Sequence, residues 1–204
     1  MTDQALVALR TANAARWKSA KLTRDFSGVA KRLVAAKVRY LPVQTRTGVP
    51  WAVVAVIHER EADQNWNTQL GQGDPLHHVS VHVPAGRGPF VSWEDGAVDA
   101  LVHCPPFAAH NADWSIGGTL TQLEEYNGLK YAYAGRPSPY VWSGTSIYDP
   151  PTGPGGKVLV DHGPIEDAYP SGPHKGQRVV DMQLGCAGLL LTMVAIDPTI
   201  KFAA

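Results

Sequence analysis

The run Trp51-Ala-Val-Val-Ala-Val-Ile57, continued by His58-Glu59-Arg60-Glu61, constrains the fold more than any other part of the chain. Gly48 before it stops a preceding helix, and Pro50 is suited to a first helical turn, so the spacing predicts a helix over 50–61. A helix this apolar must be mostly buried. It ends in carboxylates, which sets an acid at the edge of a core. Val54, Ile57 and Glu61 stand three and four residues apart and share a face, whereas Glu59 points elsewhere. A carboxyl held against apolar surface resists ionisation and can deliver a proton near neutral pH, as a glycosidic general acid must. The competing reading of Glu61 is a helix-end residue that is solvated or paired with Arg60.

The other elements follow from periodicity and punctuation. Leu6, Leu9, Ala14 and Trp17, then Val29, Leu33 and Val38, recur at helical steps and predict two helices between Gln4 and Lys37, with a break at Asp25-Phe-Ser-Gly28. The N-terminal helical region is bounded at 3–47. Residues 77–83, His-His-Val-Ser-Val-His-Val, predict a short strand. Trp93 to Val102 and Ser115 to Asn127 read as helices, the second capped by Ser115, stopped by Gly128 and weakened at its start by Gly117-Gly118. Residues 135–176 are rich in Pro and Gly and predict a long ordered excursion with a short helix at Tyr140 to Gly144. Asp181 to Ile196 predicts a closing apolar helix. The expected architecture is one mainly α-helical domain with a small strand region (α+β in that limited sense), of a size that suits 204 residues.

Charge and composition exclude several function classes. Lys+Arg and Asp+Glu both number 18, so no net positive field exists to hold a nucleic acid or an anionic membrane. The Cys186–Ile196 run is about half the roughly 20 residues that span a bilayer. No basic-then-apolar leader is visible at the N-terminus, so the chain is expected to be made in the cytoplasm without a signal peptide. Cys104 and Cys186 are too few for a disulfide framework and read as buried thiols. No metal is expected. His58 lacks the second histidine four residues on, where Ala62 stands, and His77, His78 and His82 supply at most two ligands on one strand face. A thiol nucleophile at Cys104 is disfavoured by Pro105-Pro106, which follow where a helix would begin. Gly153-Pro-Gly-Gly-Lys157 does not fit a phosphate-binding loop, and no other cofactor motif is present.

Several ordered motifs resemble a family of phage and prophage peptidoglycan-cleaving, lysozyme-like proteins. They are Gly48-Val-Pro-Trp51, Ile57-His-Glu-Arg-Glu61, Asn65-Trp66-Asn67, Gly73-Asp-Pro-Leu76 and Val81-His-Val-Pro84, followed by Asp113-Trp-Ser-Ile116, Leu123-Glu-Glu-Tyr-Asn-Gly128 and Ser138-Pro-Tyr-Val-Trp-Ser-Gly144. A helix ending in Glu, followed by one carrying Tyr-Asn-Gly, is more distantly similar to goose-type lysozymes and soluble lytic transglycosylases. The resemblance implies a lysozyme-like fold and cleavage of the β-1,4 bond between N-acetylmuramic acid and N-acetylglucosamine. It assigns Glu61 the role of general acid and sets Tyr126 and Asn127 along the sugar cleft. Glu125 before that pair and Gly128 directly after it depart from the transglycosylase pattern, and a helix C-terminus capped by Gly128 explains the same residues.

Glycoside hydrolysis usually employs a second carboxylate. Asp63, Asp74, Glu124 and Glu125 are the candidates. Asp74 is taken as the second catalytic residue, although an Asp in this turn also serves to bond its own backbone. If none serves, attack by the muramic 6-hydroxyl gives an anhydro product. Substrate contacts are expected from His58, Trp66, Asn67, Glu124, Tyr126, Asn127, Tyr140 and Trp142, the rings offering flat faces to sugars where core packing does not claim them. Trp17 and Trp51 read as core. The expected partner is a peptidoglycan glycan strand, met by a monomer that acts on the cell wall after release or delivery. A non-catalytic wall-binding or structural phage protein is the alternative from another class.

Overall fold

The computed structural model describes residues 1–71, 73–148 and 181–203. Its centre is α4, Trp51–Ala62, in which every residue from Trp51 to His58 is buried. Full burial of each Val or Ile there contributes about 1.5–3 kcal/mol before chain entropy is counted. Nothing polar faces water along those two turns, so α4 is held in place by what surrounds it. The surrounding helices are α1 (Asp3–Ser19), α2 (Ser27–Ala35), α3 (Lys37–Thr47), α5 (Trp93–His103), α6 (Ile116–Tyr126), the short α7 (Lys130–Tyr133) and α8 (Pro139–Trp142), and α9 (Cys186–Ile196). Helix α4 packs against α2, α3 and α9. Helix α1 covers α6, and α8 joins α6 to α9. One cluster of buried side chains runs through α2, α3, α4, α5, α6, α8 and α9, so the expected mainly helical architecture is present. Among the described residues, no helix is long and apolar enough to cross a membrane.

Local punctuation accounts for most boundaries. Gly48 and Gly128 take left-handed φ values of 75° and 89° just past α3 and α6. The Ser115 hydroxyl accepts the Gly118 N–H as the N-cap of α6. Gly117 and Gly118, whose lack of side chains weakens the first turn of α6, are there for close approach. A Cβ on Gly117 would strike the Arg10 carbonyl, and one on Gly118 would strike Asp113.

Four expectations need correction or restriction. The region 3–47 holds three helices, because α3 continues through Pro42, which is exposed at a point where the carbonyl it leaves without a donor can be solvated. Residues 77–83 form turns instead of a strand. Val79, Val81 and Val83 are exposed and have no apolar face to cover, and the Val81 and His82 N–H groups are taken by a side chain instead of a neighbouring strand. Extended pairing among the described residues is confined to isolated bridges at Leu22–Thr145, Thr68–Pro75 and Ser115–Ala203. The last helix begins at Cys186, since Asp181 and Gln183 bond to Arg60 and Arg24. The excursion over 135–176 lies outside the described residues from 149 onward, while its predicted short helix is α8.

Candidate active site

Glu61 lies on the last turn of α4, one turn after the buried Ile57, and its side chain is half-buried. The Tyr140 hydroxyl donates to Glu61 Oε1 at 2.8 Å. Tyr140 is itself buried on α8, with the Arg60 guanidinium 4.8 Å from its ring centroid. Arg60 is almost wholly buried and donates from Nη2 to Asp181 Oδ2 at 2.8 Å. Burial raises the Glu61 pKa above the ordinary carboxylate range, against smaller opposing pulls from the Tyr140 hydrogen bond and the Arg60 charge. The charge of Glu61 is felt in turn by the phenols of Tyr126 and Tyr140, both raised chiefly by burial, and by the thiol of Cys186 at the start of α9. The ends of α4 and α6, the start of α9 and the short α8 therefore converge on one carboxyl.

Glu124 shares this neighbourhood from the α6 side but is sealed, at 1% exposure. Burial pushes its pKa up to about 7, with smaller downward pulls from the Ser138 hydroxyl and backbone, Arg16 and the Trp142 indole. Glu124 Oε1 and Trp142 Nε1 are both buried outside ordinary hydrogen-bond geometry, so the indole acts on the carboxyl as a dipole. Cys186 stands where the charges of Glu61 and Glu124 both reach it, and the thiol is raised by burial. Glu59, two residues before Glu61, faces Arg32 at 3.7 Å on a different side of α4.

Asp74 has another occupation. Its Oδ2 accepts the Val81 and His82 N–H groups, each at 3.0 Å, and its Oδ1 accepts the His82 Nδ1–H at 2.7 Å. These bonds hold its pKa below the ordinary value, led by the His82 N–H. The carboxylate, expected to be the second catalytic group, clamps the 74–82 loop with three donors on it.

The expected substrate contacts divide in the same way. His58 is fully buried, its Nδ1 3.1 Å from the Tyr40 hydroxyl and its Nε2 3.1 Å from the Asn65 carbonyl. A carbonyl only accepts, so Nε2 carries the proton and Nδ1 accepts from Tyr40. Burial lowers the His58 pKa to about 4, so the ring is a neutral core bridge and not a substrate contact. Trp66 packs on Tyr40, His58 and Trp93, and the Arg39 guanidinium lies 3.8 Å from its ring centroid, so a ring expected to stack on sugar is already covered. Trp142 is fully buried and likewise offers no face to a sugar. Tyr140 is buried too, and acts through its hydroxyl. Tyr126, partly exposed beside Glu61, and the exposed Asn127, which ends α6 ahead of Gly128, remain at the surface. Asn67 is exposed in the loop after α4, where its carbonyl accepts the Leu76 N–H.

The residues that sequence reasoning missed are Arg60, Ser138 and Asp181. Arg60 carried a usable signal, since a cation one residue from a candidate acid, inside a buried segment, needs partners. Cys104 is buried and its thiol is raised by burial and by Asp99, which disfavours a thiolate nucleophile. No group of His, Cys, Asp or Glu suited to a metal ion occurs among the described residues.

Fold and site together define a mainly helical protein with a half-buried carboxyl of raised pKa at the end of its central buried helix. No protein-family model, no curated protein and no solved structure matches the chain.

Proposed function

We propose that the chain cleaves the β-1,4 bond between N-acetylmuramic acid and N-acetylglucosamine in bacterial peptidoglycan, with Glu61 as the general acid. The observation that carries this reading is the half-buried Glu61 at the end of α4, raised in pKa by burial and oriented by the Tyr140 hydroxyl. The ordered motifs from Gly48 to Gly144 support the choice of substrate. Protonated Glu61 gives its proton to the glycosidic oxygen as the bond to the muramic C1 breaks, and water then bonds to the positively charged C1 and passes a proton back to the Glu61 carboxylate.

A second reading of the same site is favoured by the engagement of Asp74 in its loop and the sealing of Glu124. In it the muramic 6-hydroxyl oxygen bonds to C1 and passes its proton to the Glu61 carboxylate, which closes a 1,6-anhydro ring without water. Both readings have the protein acting at the cell wall, reached by release or delivery from the cytoplasm.

Mass spectrometry of fragments released from purified peptidoglycan tests both. Reducing muramic ends that disappear in Glu61→Gln are expected of a muramidase, and anhydromuramic ends that disappear in it are expected of a transglycosylase. Release of fragments by Glu61→Gln at the wild-type rate would remove Glu61 from the mechanism. Binding to walls with no fragments from the wild type would leave a non-catalytic wall-binding protein.

A further inference from the structure

Helix α6 has a second face. Gln122 and Glu125, three residues apart, turn away from Glu124 and line a cavity of about 480 Å³ closed by Arg10 of α1 and the 106–113 loop. The chain builds this hollow by bringing α1 and the loop tightly onto the glycines that start α6. Gln122 is 5% exposed, yet its Nε2 has no hydrogen-bond partner, and Arg10 Nε also lacks one, with Asp113 Oδ2 3.7 Å away. Buried amide donors are ordinarily satisfied, so the Gln122 amide is matched to an acceptor brought by something else. Glu125 supplies acceptors on the same wall. At the rim Phe107 is 40% exposed, and its ring stacks on His110 with centroids 5.7 Å apart and planes within 9°.

We propose that this hollow, which Glu61, Tyr126 and Tyr140 do not line, is a second saccharide site that takes an N-acetylated hexosamine unit. An acetamido group carries one acceptor and one donor. Its carbonyl takes the Gln122 and Arg10 N–H groups, and its N–H donates to Glu125. The flat face of the sugar rests on Phe107, whose partner His110 holds the ring in place. A simple anion fits less well, because Glu125 and Asp113 share the wall with Arg10. The inference rests on the proposed function in so far as the polymer is the same, and it gives the chain a grip on the glycan away from the cleaved bond. That grip needs no separate wall-binding domain and no net positive charge.

The test uses the full chain carrying Glu61→Gln, titrated with chitotetraose and followed by backbone-amide NMR and calorimetry. Shifts centred on Phe107, Asn111 and Gln122 are expected. Phe107→Ala and Gln122→Leu, each added to that chain, are expected to weaken binding at this site by about tenfold or more with unchanged melting, the scale of a lost aromatic or buried polar anchor. Cellotetraose, which lacks acetamido groups, is expected to bind there about tenfold more weakly, and equal binding would overturn the acetamido assignment. Absence of shifts at these amides in millimolar chitotetraose, or undiminished binding in both variants, would overturn the site itself. Wild-type chain that releases glycan fragments while these amides stay silent would retain the proposed function and lose this inference. Binding here by a chain that releases no fragments would do the reverse.

Discussion

The end of α4 and the loop that follows it each hold a carboxylate, and they treat it in opposite ways. Glu61 meets apolar surroundings and one hydroxyl, so its neutral form is favoured. Asp74, thirteen residues on, meets three N–H donors and is held ionised. Both belong to the ordered motifs Ile57-His-Glu-Arg-Glu61 and Gly73-Asp-Pro-Leu76, and the difference lies in what surrounds each oxygen. A proton donor needs a shortage of hydrogen-bond donors and a way out to substrate. A structural clamp needs the reverse.

Glu61→Gln and Asp74→Asn separate these roles most sharply. The first is expected to lower the rate of glycan release by at least about a thousandfold while melting stays within a degree or two, as expected for loss of a transition-state proton donor. The second is expected to lower melting and loosen the 74–82 loop, visible as faster amide exchange at Val81 and His82, with activity per folded molecule retained. A thousandfold loss in Asp74→Asn with an intact loop would restore it as a second catalytic carboxylate.

Glu124 extends the comparison to a carboxyl with no way out. Its folded pKa of about 7 lies above the ordinary value of 4.5. The folded state therefore binds this proton more tightly than the unfolded state does. The stability it lends is complete below pH 4.5 and is lost as pH rises through 7, on the order of 3 kcal/mol. Denaturant titrations from pH 4.5 to 7 are expected to show that loss, and Glu124→Gln is expected to remove it. The smallest effect belongs to Tyr140→Phe. Its hydroxyl bonds best to ionised Glu61, so removing it raises the Glu61 pKa further. The alkaline limb of the kcat/KM profile, where the acid loses its proton, is expected to move to higher pH, with little change on the acid side. A limb that moves downward would mean that Tyr140 does not bond Glu61 in solution.

The parts legible in the sequence are those governed by local rules. Gly48, Ser115 and Gly128 mark helix ends because their requirements are met within a few residues. The stripe Val54, Ile57, Glu61 holds because helical spacing fixes which side chains share a face. Trp66 and Trp142 illustrate what is not legible. A tryptophan beside a loop looks the same in the sequence whether its ring meets solvent, Arg39 or the inside of α8, and only packing of distant elements decides. The strand expected at 77–83 fails for a related reason. Alternating valines suggest one buried face, but Asp74 takes the backbone donors first, and the valines are left outside. Tyr140 stands out in the sequence as a ring beside a loop, but its hydrogen bond to Glu61 does not, because its partner lies 79 residues away.

His58 and Glu124 are two deeply buried titratable side chains near the site, and together they form a proton balance. The imidazole, depressed to about 4 from 6.5, makes the fold lose stability as acid is added. The carboxyl, raised to about 7 from 4.5, makes it gain stability over nearly the same interval. Each swing is on the order of 3 kcal/mol, and they run in opposite directions. Between pH 4.5 and 6.5 the two therefore offset one another, and the folded chain takes up few protons on either account. A mildly acidic medium would then leave the scaffold level on these two accounts.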